Sequence, residues 1–508
     1  MRTTPVLIAG GGLAGLTTSL FLARQGIPSL LVDRHAGVSI HGRARGINQR
    51  TMEIYRAYGV ADAIERAGAP FNAESGVARC TSLAAEWEWL FDAEEPRAWP
   101  ELTAGVFCMA DQNTVEPILI DAARTAGAEH LFNTELLDFD TDGEGVLATV
   151  EDRSTGHRQI VRAGYLVAAD GNRSPIRQRL GIARTGEMTF QHSMNIVFRA
   201  NLAEFLPRRA LFWMIANPDG FFGGLVSTAD PDRWQLSVGY DPATESSADF
   251  TRERCVRLVH AAVGKDIDVG IEGVAAWEQG VGVAERYRDG RVFLAGDSAH
   301  VWPPAGALGA NTGVQDAHNL AWKLAAVLKD QAGDDLLDTY DAERRPLAET
   351  LAPLIVAHQQ ARISGAAEPE GMDGRTQAFG AGYGPGPVFD SGPGRQARVG
   401  RRAPHLWLGD TALHDLCVGD FVLLCDSAEW MEAARTVPVR AHRAENADGW
   451  PEHYGRGAVL IRPDGYIAWQ STGSASASEL TNAIDQALHP ARPETRPAQG
   501  GTATARRG

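Results

Sequence analysis

Short apolar runs and helical spacing alternate at the start of the chain. Val6 to Ala9 and Pro28 to Val32 are continuous apolar stretches of the kind buried in a parallel sheet, and Leu16 to Gln25 between them has the spacing of an Ala/Leu helix closed by Gly26. Ala110 to Gly127 reads as a second helix with Ile118, Leu119 and Ala122 on its buried side, and a strand beginning at Tyr165 ends in Asp170-Gly171. From Glu187 to Gln279 the texture changes to alternating apolar and polar segments, for example Met194 to Ala200, Ala210 to Ile215, Phe221 to Ser227 and Trp234 to Tyr240, which predicts an inserted antiparallel sheet. Arg291 to Ala295 is again a buried strand, ended by Gly296-Asp297. After a Pro/Gly-rich loop from Pro303 to Gly313, Val314 onward has helical spacing through Ala317, Leu320, Ala321 and Leu324.

Helical spacing returns over Gly333 to Ala361, and a Gly/Pro-rich connection follows at 366–398. Residues 399–490 mix strands (RRAPHLWL, DFVLLCD, GAVLIRPDGYIAW) with helices at Ala428 to Arg435 and Ser478 to Leu488, and 491–508 has the composition of a disordered tail.

Composition narrows the function classes. A chain of 508 residues with 44% hydrophobic and 22% charged residues is long enough for several soluble domains and a large bound ligand. A net charge of -16 argues against a nucleic-acid or anionic-membrane surface and favours small-molecule partners. Cys80, Cys108, Cys255, Cys417 and Cys425 form no CxxC pair and no metal-ligand spacing, so reduced thiols and no metal site are expected. No leader-like segment and no run of eighteen apolar residues is present, which makes the cytoplasm the expected location.

The candidate chemistry sits at the carboxyl ends of the predicted strands. Gly10, Gly12 and Gly15 between strand and helix, with Asp33 ending the second strand, have the layout of a dinucleotide-binding βαβ unit. The first glycine turns the chain, the second admits a pyrophosphate and the third lets helix and strand pack closely, while Asp33 can accept from ribose hydroxyls. This pattern does not distinguish NAD from FAD. Arg43 and Arg45 lie in a basic loop that is equally readable as solvated, and Gln112 is either a ligand contact or an ordinary residue at a helix start. Asp170-Gly171 and Gly296-Asp297 each place a carboxylate where open α/β sheets bind ligands. Trp213, Phe221, Phe222 and Trp234 could line an aromatic pocket, although large aromatics in such strands also serve as core. His300 beside Asp297 fits packing or hydrogen bonding in the turn better than catalysis.

Taken in order, the glycine fingerprint, arginine loop, Gln112 helix, DG turn and GD loop resemble the FAD-dependent aromatic hydroxylases related to p-hydroxybenzoate hydroxylase, over about residues 4–360. The most specific part is the GD stretch with its Pro-Pro, Gly-Asn-Thr-Gly, Asp and Asn-Leu-Ala-Trp-Lys elements. The tail resembles the thioredoxin-like domain attached to hydroxylases of aromatic polyketides and phenols.

The resemblance implies an α/β fold with three parts. A discontinuous Rossmann-like FAD-binding domain (1–75, 105–185, 280–365) is joined by a mainly antiparallel substrate domain (76–104, 186–279) and a C-terminal thioredoxin-like α/β domain (399–490). It further implies that Gly10, Gly12, Gly15, Asp33 and Arg34 hold the ADP half of FAD, Arg43 and Gln112 contact the pyrophosphate and ribityl region, and Asp297 accepts from the ribityl hydroxyls. Asp170 and Gly171 would serve FAD and transient NADPH or NADH. Pro303 and Pro304 would border the ring system, and Gly309, Ala310, Asn311 and Thr312 would present backbone and side-chain donors to it.

The activity implied is monooxygenation of an electron-rich aromatic substrate with NAD(P)H and O₂ through a flavin hydroperoxide, with a polycyclic polyketide intermediate as substrate and a possible homodimer as assembly. Baeyer–Villiger insertion or hydroxylation of a simple phenol is the alternative on the same scaffold. An FAD-binding protein without oxygenase activity is the alternative from another class.

Overall fold

The computed structural model describes residues 1–38, 44–72, 76–92, 99–206, 210–218, 220–228, 230–304, 307–364, 373–384, 387–390, 392, 394 and 396–490. Arg43, the 491–508 tail and much of the 366–398 connection lie outside the described residues.

The first sheet is organised around the strand Arg2–Ala9, whose Val6, Leu7 and Ile8 are fully buried. It pairs in parallel with Ser29–Val32 on one side and His157–Ala168 on the other. Val292–Leu294 and Glu129–Leu131 extend the parallel set outward. All four connections needed to make these pairs carry the chain back across the sheet, so the carboxyl ends of the strands, and the turns that follow them, gather at one edge. Helix Leu13–Arg24 buries Leu16, Leu20 and Phe21 on this sheet and packs on the long helix Leu308–Leu328.

The second sheet is mainly antiparallel. Its order is His300–Val301, Gly270–Ala284, Arg184–Arg199, Arg233–Tyr240, Phe222–Ser227, Phe212–Ala216, Gly76–Cys80 and Glu88–Asp92. One ladder, Phe212–Ala216 with Gly76–Cys80, is parallel. Helix Arg252–Val263 lays Cys255, Val259 and Val263 on one face and closes a core around Met194, Ile196, Phe198 and Leu236. Trp213 and Trp234 belong to that core with 0% and 1% of their surface exposed, and the Trp234 indole N–H donates to Ala200 O at 3.1 Å. The expectation that they line a ligand pocket is therefore corrected. Strand pairing places the two rings on one face, and helix Arg252–Val263 packs in the same core. Phe222 is 54% exposed at the start of its strand, and Phe221 is half-buried against the same core.

The C-terminal part is a four-stranded mixed sheet in the order Arg440–Arg443, Val422–Cys425, Ala458–Ile461 and Ile467–Ser471, with helices Ala428–Ala434 and Ala477–Leu488. Its apolar face packs on Trp322 and Ala326 of the long helix. Two buried charge clusters fix this docking. Glu53 of helix Gln49–Ala57 accepts from Arg50 and Arg402, and Glu343 accepts from Lys323 at 2.7 Å and from Arg462 at 2.6 Å. All five cysteines are buried, and none forms a disulfide among the described residues. Cys425 donates its thiol to backbone carbonyls of Ser427 and His442, and burial raises its pKa above the usual thiol range.

Several histidines are buried and held neutral. Burial pushes His318 down to about 3 and His130 and His405 down to about 4. An unfolded histidine titrates near about 6.5, so below that pH the unfolded chain takes up protons that the folded chain refuses. This contribution is intact above about pH 6.5 and is lost as the pH falls toward the folded values, by about 1.4 kcal/mol per histidine per pH unit. The melting temperature is expected to drop between about pH 7 and about pH 5. A flat profile over that window, measured by calorimetry, would contradict the buried neutral state.

Candidate functional site

Three turns meet at the carboxyl edge of the first sheet. Gly10 leaves the first strand at φ +111°, and a Cβ there would lie 2.1 Å from Ala169 O, so only glycine lets the chain cross beside the neighbouring strand. Gly15 is held as tightly, because a Cβ on it would lie 1.9 Å from Gly10 O. Around Gly12, by contrast, a Cβ would meet nothing within 4 Å, which leaves open space at the N-terminus of helix Leu13–Arg24. Asp33 braces this turn. Its Oδ2 accepts from Gly11 N at 2.6 Å and its Oδ1 from His35 N at 2.7 Å, and a carboxylate keeps lone pairs for a further donor. Arg34 is exposed beside His35.

The DG turn follows strand His157–Ala168. Asp170 Oδ2 accepts from Ile176 N at 3.1 Å, while its Oδ1 is buried without a partner, and burial raises its carboxyl above the usual carboxylate range. Gly171 is left-handed at φ +82°. Two arginines pin this turn to the GD turn. Arg177 donates to Asn172 O at 3.1 Å and Ser298 O at 3.4 Å; Arg184 donates to Asn172 Oδ1 at 2.6 Å and Asp297 O at 2.8 Å. Arg179 instead pairs with Asp138 on the surface.

In the GD turn, Gly296 has φ +63°, and a Cβ on it would be 2.9 Å from Ala14 Cβ. A Cβ on Gly313 would be 3.2 Å from Gly296 Cα. Small residues at 14, 296 and 313 thus let the first helix, the GD turn and the long helix touch at one point. Ser298 Oγ donates to Ala168 O at 2.7 Å, tying the two strand ends together. Asp297 is exposed between buried Gly296 and Ser298, with Oδ1 4.0 Å from where a Cβ on Gly309 would sit. Its carboxylate therefore stands beside the first turn of the long helix.

That helix begins at Leu308, not near Val314, because Ala307 takes the left-handed conformation (φ +53°) and starts it early. Gly309 to Thr312 are consequently its first turn and not a loop. The helix has no side-chain cap among the described residues, so its first amides remain aimed outward with the positive end of the helix dipole. Pro303 is buried and Pro304 exposed just before it. The expected side-chain donors do not point outward. Asn311 donates to Gly46 O at 2.9 Å and accepts from Asn48 N at 3.0 Å, and Thr312 donates to Leu308 O at 2.8 Å.

Asp316, one turn further on, accepts from His300 Nε2 at 2.6 Å, Gly296 N at 3.1 Å and Arg344 Nε at 2.8 Å. Burial opposes its charge, but His300 and Arg344 hold the carboxyl below its ordinary value. His300 is thus a fully buried member of the scaffold.

Gln112 is also engaged within the protein, donating to Glu116 Oε1 at 2.6 Å and accepting from Ala44 N at 3.3 Å. Arg45 links the two sheets: it pairs with Asp111 at 2.5 Å and donates to Ser227 O and Ser227 Oγ. Sequence reasoning missed Arg184 and Arg344, and marked Asp316 only as part of a motif without its scaffold role. Their partners lie between 12 and 113 positions away, so no local pattern marks these contacts.

Comparisons with known proteins agree with this geometry. The profile of the FAD binding domain family matches residues 3–353, and that of the aromatic-ring hydroxylase C-terminal family matches residues 396–491. The chain belongs to the family of FAD-dependent aromatic-ring hydroxylases, flavoprotein monooxygenases. Within that class it is 42% identical to a putative polyketide hydroxylase of Streptomyces halstedii, over 96% of this chain and 97% of that one. It is 37% identical to the tetracenomycin A2 monooxygenase-dioxygenase of Streptomyces glaucescens, over 98% of each. The structure of aklavinone-11 hydroxylase in a ternary complex with FAD and aklavinone superposes with a TM-score of 0.86 at 35% identity, covering 96% of this chain and 99% of that one.

The residues present fit FAD. The open space at Gly12 suits a pyrophosphate on a helix N-terminus, and the uncapped first turn at 308–312 suits the electron-rich edge of a ring. Among the described residues, no helix is long and apolar enough to cross a membrane.

Proposed function

We propose that the chain uses NADPH or NADH and O₂ to hydroxylate a polycyclic, polyketide-derived aromatic substrate. The observation that carries this reading is the convergence of the glycine, DG and GD turns on the uncapped helix at Leu308, with Ala14, Gly296 and Gly313 in mutual contact.

In this reading Gly10, Gly12, Gly15 and Asp33 seat the ADP half of FAD, with Arg34 at its rim. Asp297 accepts from the ribityl chain, and the amides of Gly309 and Ala310 face the ring. Pro303 and Pro304 shape the side of the site on which substrate lies, and Asp170-Gly171 borders the approach of the nicotinamide. Bound FAD supplies the hydride acceptor and the activation of O₂. The chain's own task is to hold the reacting carbon at the ring and keep water out.

The names of the relatives, which include a putative polyketide hydroxylase, a tetracenomycin A2 monooxygenase-dioxygenase and an aklavinone 12-hydroxylase, support this substrate class. The test is to mix flavin-loaded protein with NADPH, and separately with NADH, without oxygen. Bleaching of the flavin band that a hydroxyanthraquinone accelerates is expected. No bleaching by either nucleotide would overturn the reading. A second check concerns the ribityl anchor: Asp297→Ala is expected to weaken flavin about tenfold by removing a charge-assisted acceptor, read by flavin titration of the apoprotein. Unchanged affinity would show that Asp297 does not hold the ribityl chain.

A further inference from the structure

The second sheet has two unlike faces. Met194, Ile196, Trp234 and Leu236 point into the helix-covered core. On the opposite face Ser193, Asn195 and Val197 alternate with them. The positions opposite these three are Trp277, Ala275 and Gly273 on one neighbouring strand and Gly239, Ser237 and Gln235 on the other. The strand Gly270–Ala284 shows where that face looks. Steps of two carry Trp277 to Val281 and Val283, both of which lie in the core of the glycine-turn domain. Val283 and Gly282 pair directly with His300 and Val301, three residues before Pro303 and Pro304 end the same run.

Among the described residues, three polar atoms on this face are buried without a hydrogen-bond partner: Asn195 Oδ1, Gln235 Oε1 and Trp277 Nε1. Gln235 as a whole is only 7% exposed. An unsatisfied buried polar atom is costly because it loses its hydrogen bonds to water without replacement, and three on one face of three adjacent strands point to a ligand that satisfies them. Trp277 and Gln235 are two strands apart and four residues out of step, roughly 10 Å across and roughly 13 Å along, which exceeds a single benzene ring.

We propose that Asn195, Gln235 and Trp277 form the polar rim that selects the substrate. The two carboxamides accept from ring hydroxyls and the indole N–H donates to a ring carbonyl. The preferred substrate is accordingly a fused polycycle with hydroxyl and carbonyl groups along one edge. This specifies the substrate class of the aromatic-hydroxylase reading above and rests on it.

The test titrates flavin-loaded protein with a peri-dihydroxyanthraquinone, with its dimethyl ether and with phenol, following the shift of the flavin band. The dihydroxy compound is expected to bind at least about tenfold more tightly than the ether, which lacks the donors, and phenol more weakly than either. Gln235→Leu and Asn195→Leu are each expected to erase the preference for the dihydroxy compound over its ether while keeping the flavin spectrum. Trp277→Phe is expected to weaken the dihydroxy compound and its ether alike, since both keep the carbonyl. Flavin-loaded protein that does not discriminate the hydroxyls from the ethers, or variants that retain the preference, would overturn the inference alone. Should the leucine variants not fold, the comparison of the two anthraquinones on the unmodified chain decides. A chain that takes up no flavin overturns the underlying reading and this inference with it.

Discussion

Gly15→Val is expected to yield a folded but colourless protein. The Cβ of any residue at 15 would sit 1.9 Å from Gly10 O, and backbone on both sides leaves no flexible side chain to give way. Helix Leu13–Arg24 must then lift from the first strand, and its N-terminus, with the open space at Gly12, moves off the phosphate position. Overpacking of this kind costs at least about 1–3 kcal/mol, equivalent to roughly 5- to 150-fold in flavin affinity. Gly12→Ala is the informative partner. A Cβ there meets no protein atom within 4 Å, so the fold is undisturbed and any loss of flavin reports direct obstruction of the ligand. Both are read from flavin content after purification and from titration of the apoprotein. A Gly15→Val protein that retains the yellow chromophore at normal affinity would contradict the assigned phosphate turn.

Glu53→Gln is expected to have the largest effect on stability. Glu53 is 2% exposed and accepts from both Arg50 and Arg402, with Thr103 Oγ1 at 2.9 Å completing its shell. Burial alone would raise its carboxyl, yet Arg402, His414 and Arg50 together hold it well below the usual range. Neutralising it leaves two guanidinium groups in a dry interface. Breaking one side of a buried charge cluster costs about 3–5 kcal/mol. Because Arg402 and Asp464 belong to the C-terminal part, while Glu53 and Arg50 sit on helix Gln49–Ala57, the loss falls on the docking of that part against the nucleotide-binding turns. Chemical denaturation is expected to show the midpoint shift and a separated C-terminal transition. A change below about 1 kcal/mol would mean that apolar packing around Trp322 carries the docking unaided.

Local patterns were legible where a residue's role is set by its neighbours in the chain. Gly10, Gly12 and Gly15 follow a strand and open a helix, so their spacing alone announces the turn, and the strands at 194–200, 221–227 and 234–240 lie where short apolar segments are set off by polar ones. The helix start at Leu308 was not legible. Gly309 and Gly313 look like loop residues, but both lie in the helix, Gly313 is in close contact with Gly296, and Ala307 supplies the turn that a sequence does not mark.

The faces of the second sheet were only half legible. The sequence marked Trp213 and Trp234 as strand aromatics but did not say which face helix Arg252–Val263 would cover. Asn311 misled for a different reason: its amide partners are Gly46 and Asn48, more than 260 positions away in the chain. The large aromatics Trp213 and Trp234 belong to the core, whereas Asn195, Gln235 and Trp277 lie on the opposite face of the sheet.

The measurement that bears most directly on the whole account is the fate of labelled dioxygen. Flavin-loaded protein, NADPH, a peri-dihydroxyanthraquinone and isotope-labelled O₂ should give a product heavier by one labelled oxygen atom, with nucleotide consumption that rises when the aromatic compound is present. Oxidation of the nucleotide that yields only hydrogen peroxide with this compound and with the polyketide polycycles of the relatives, or incorporation of oxygen from water, would contradict it.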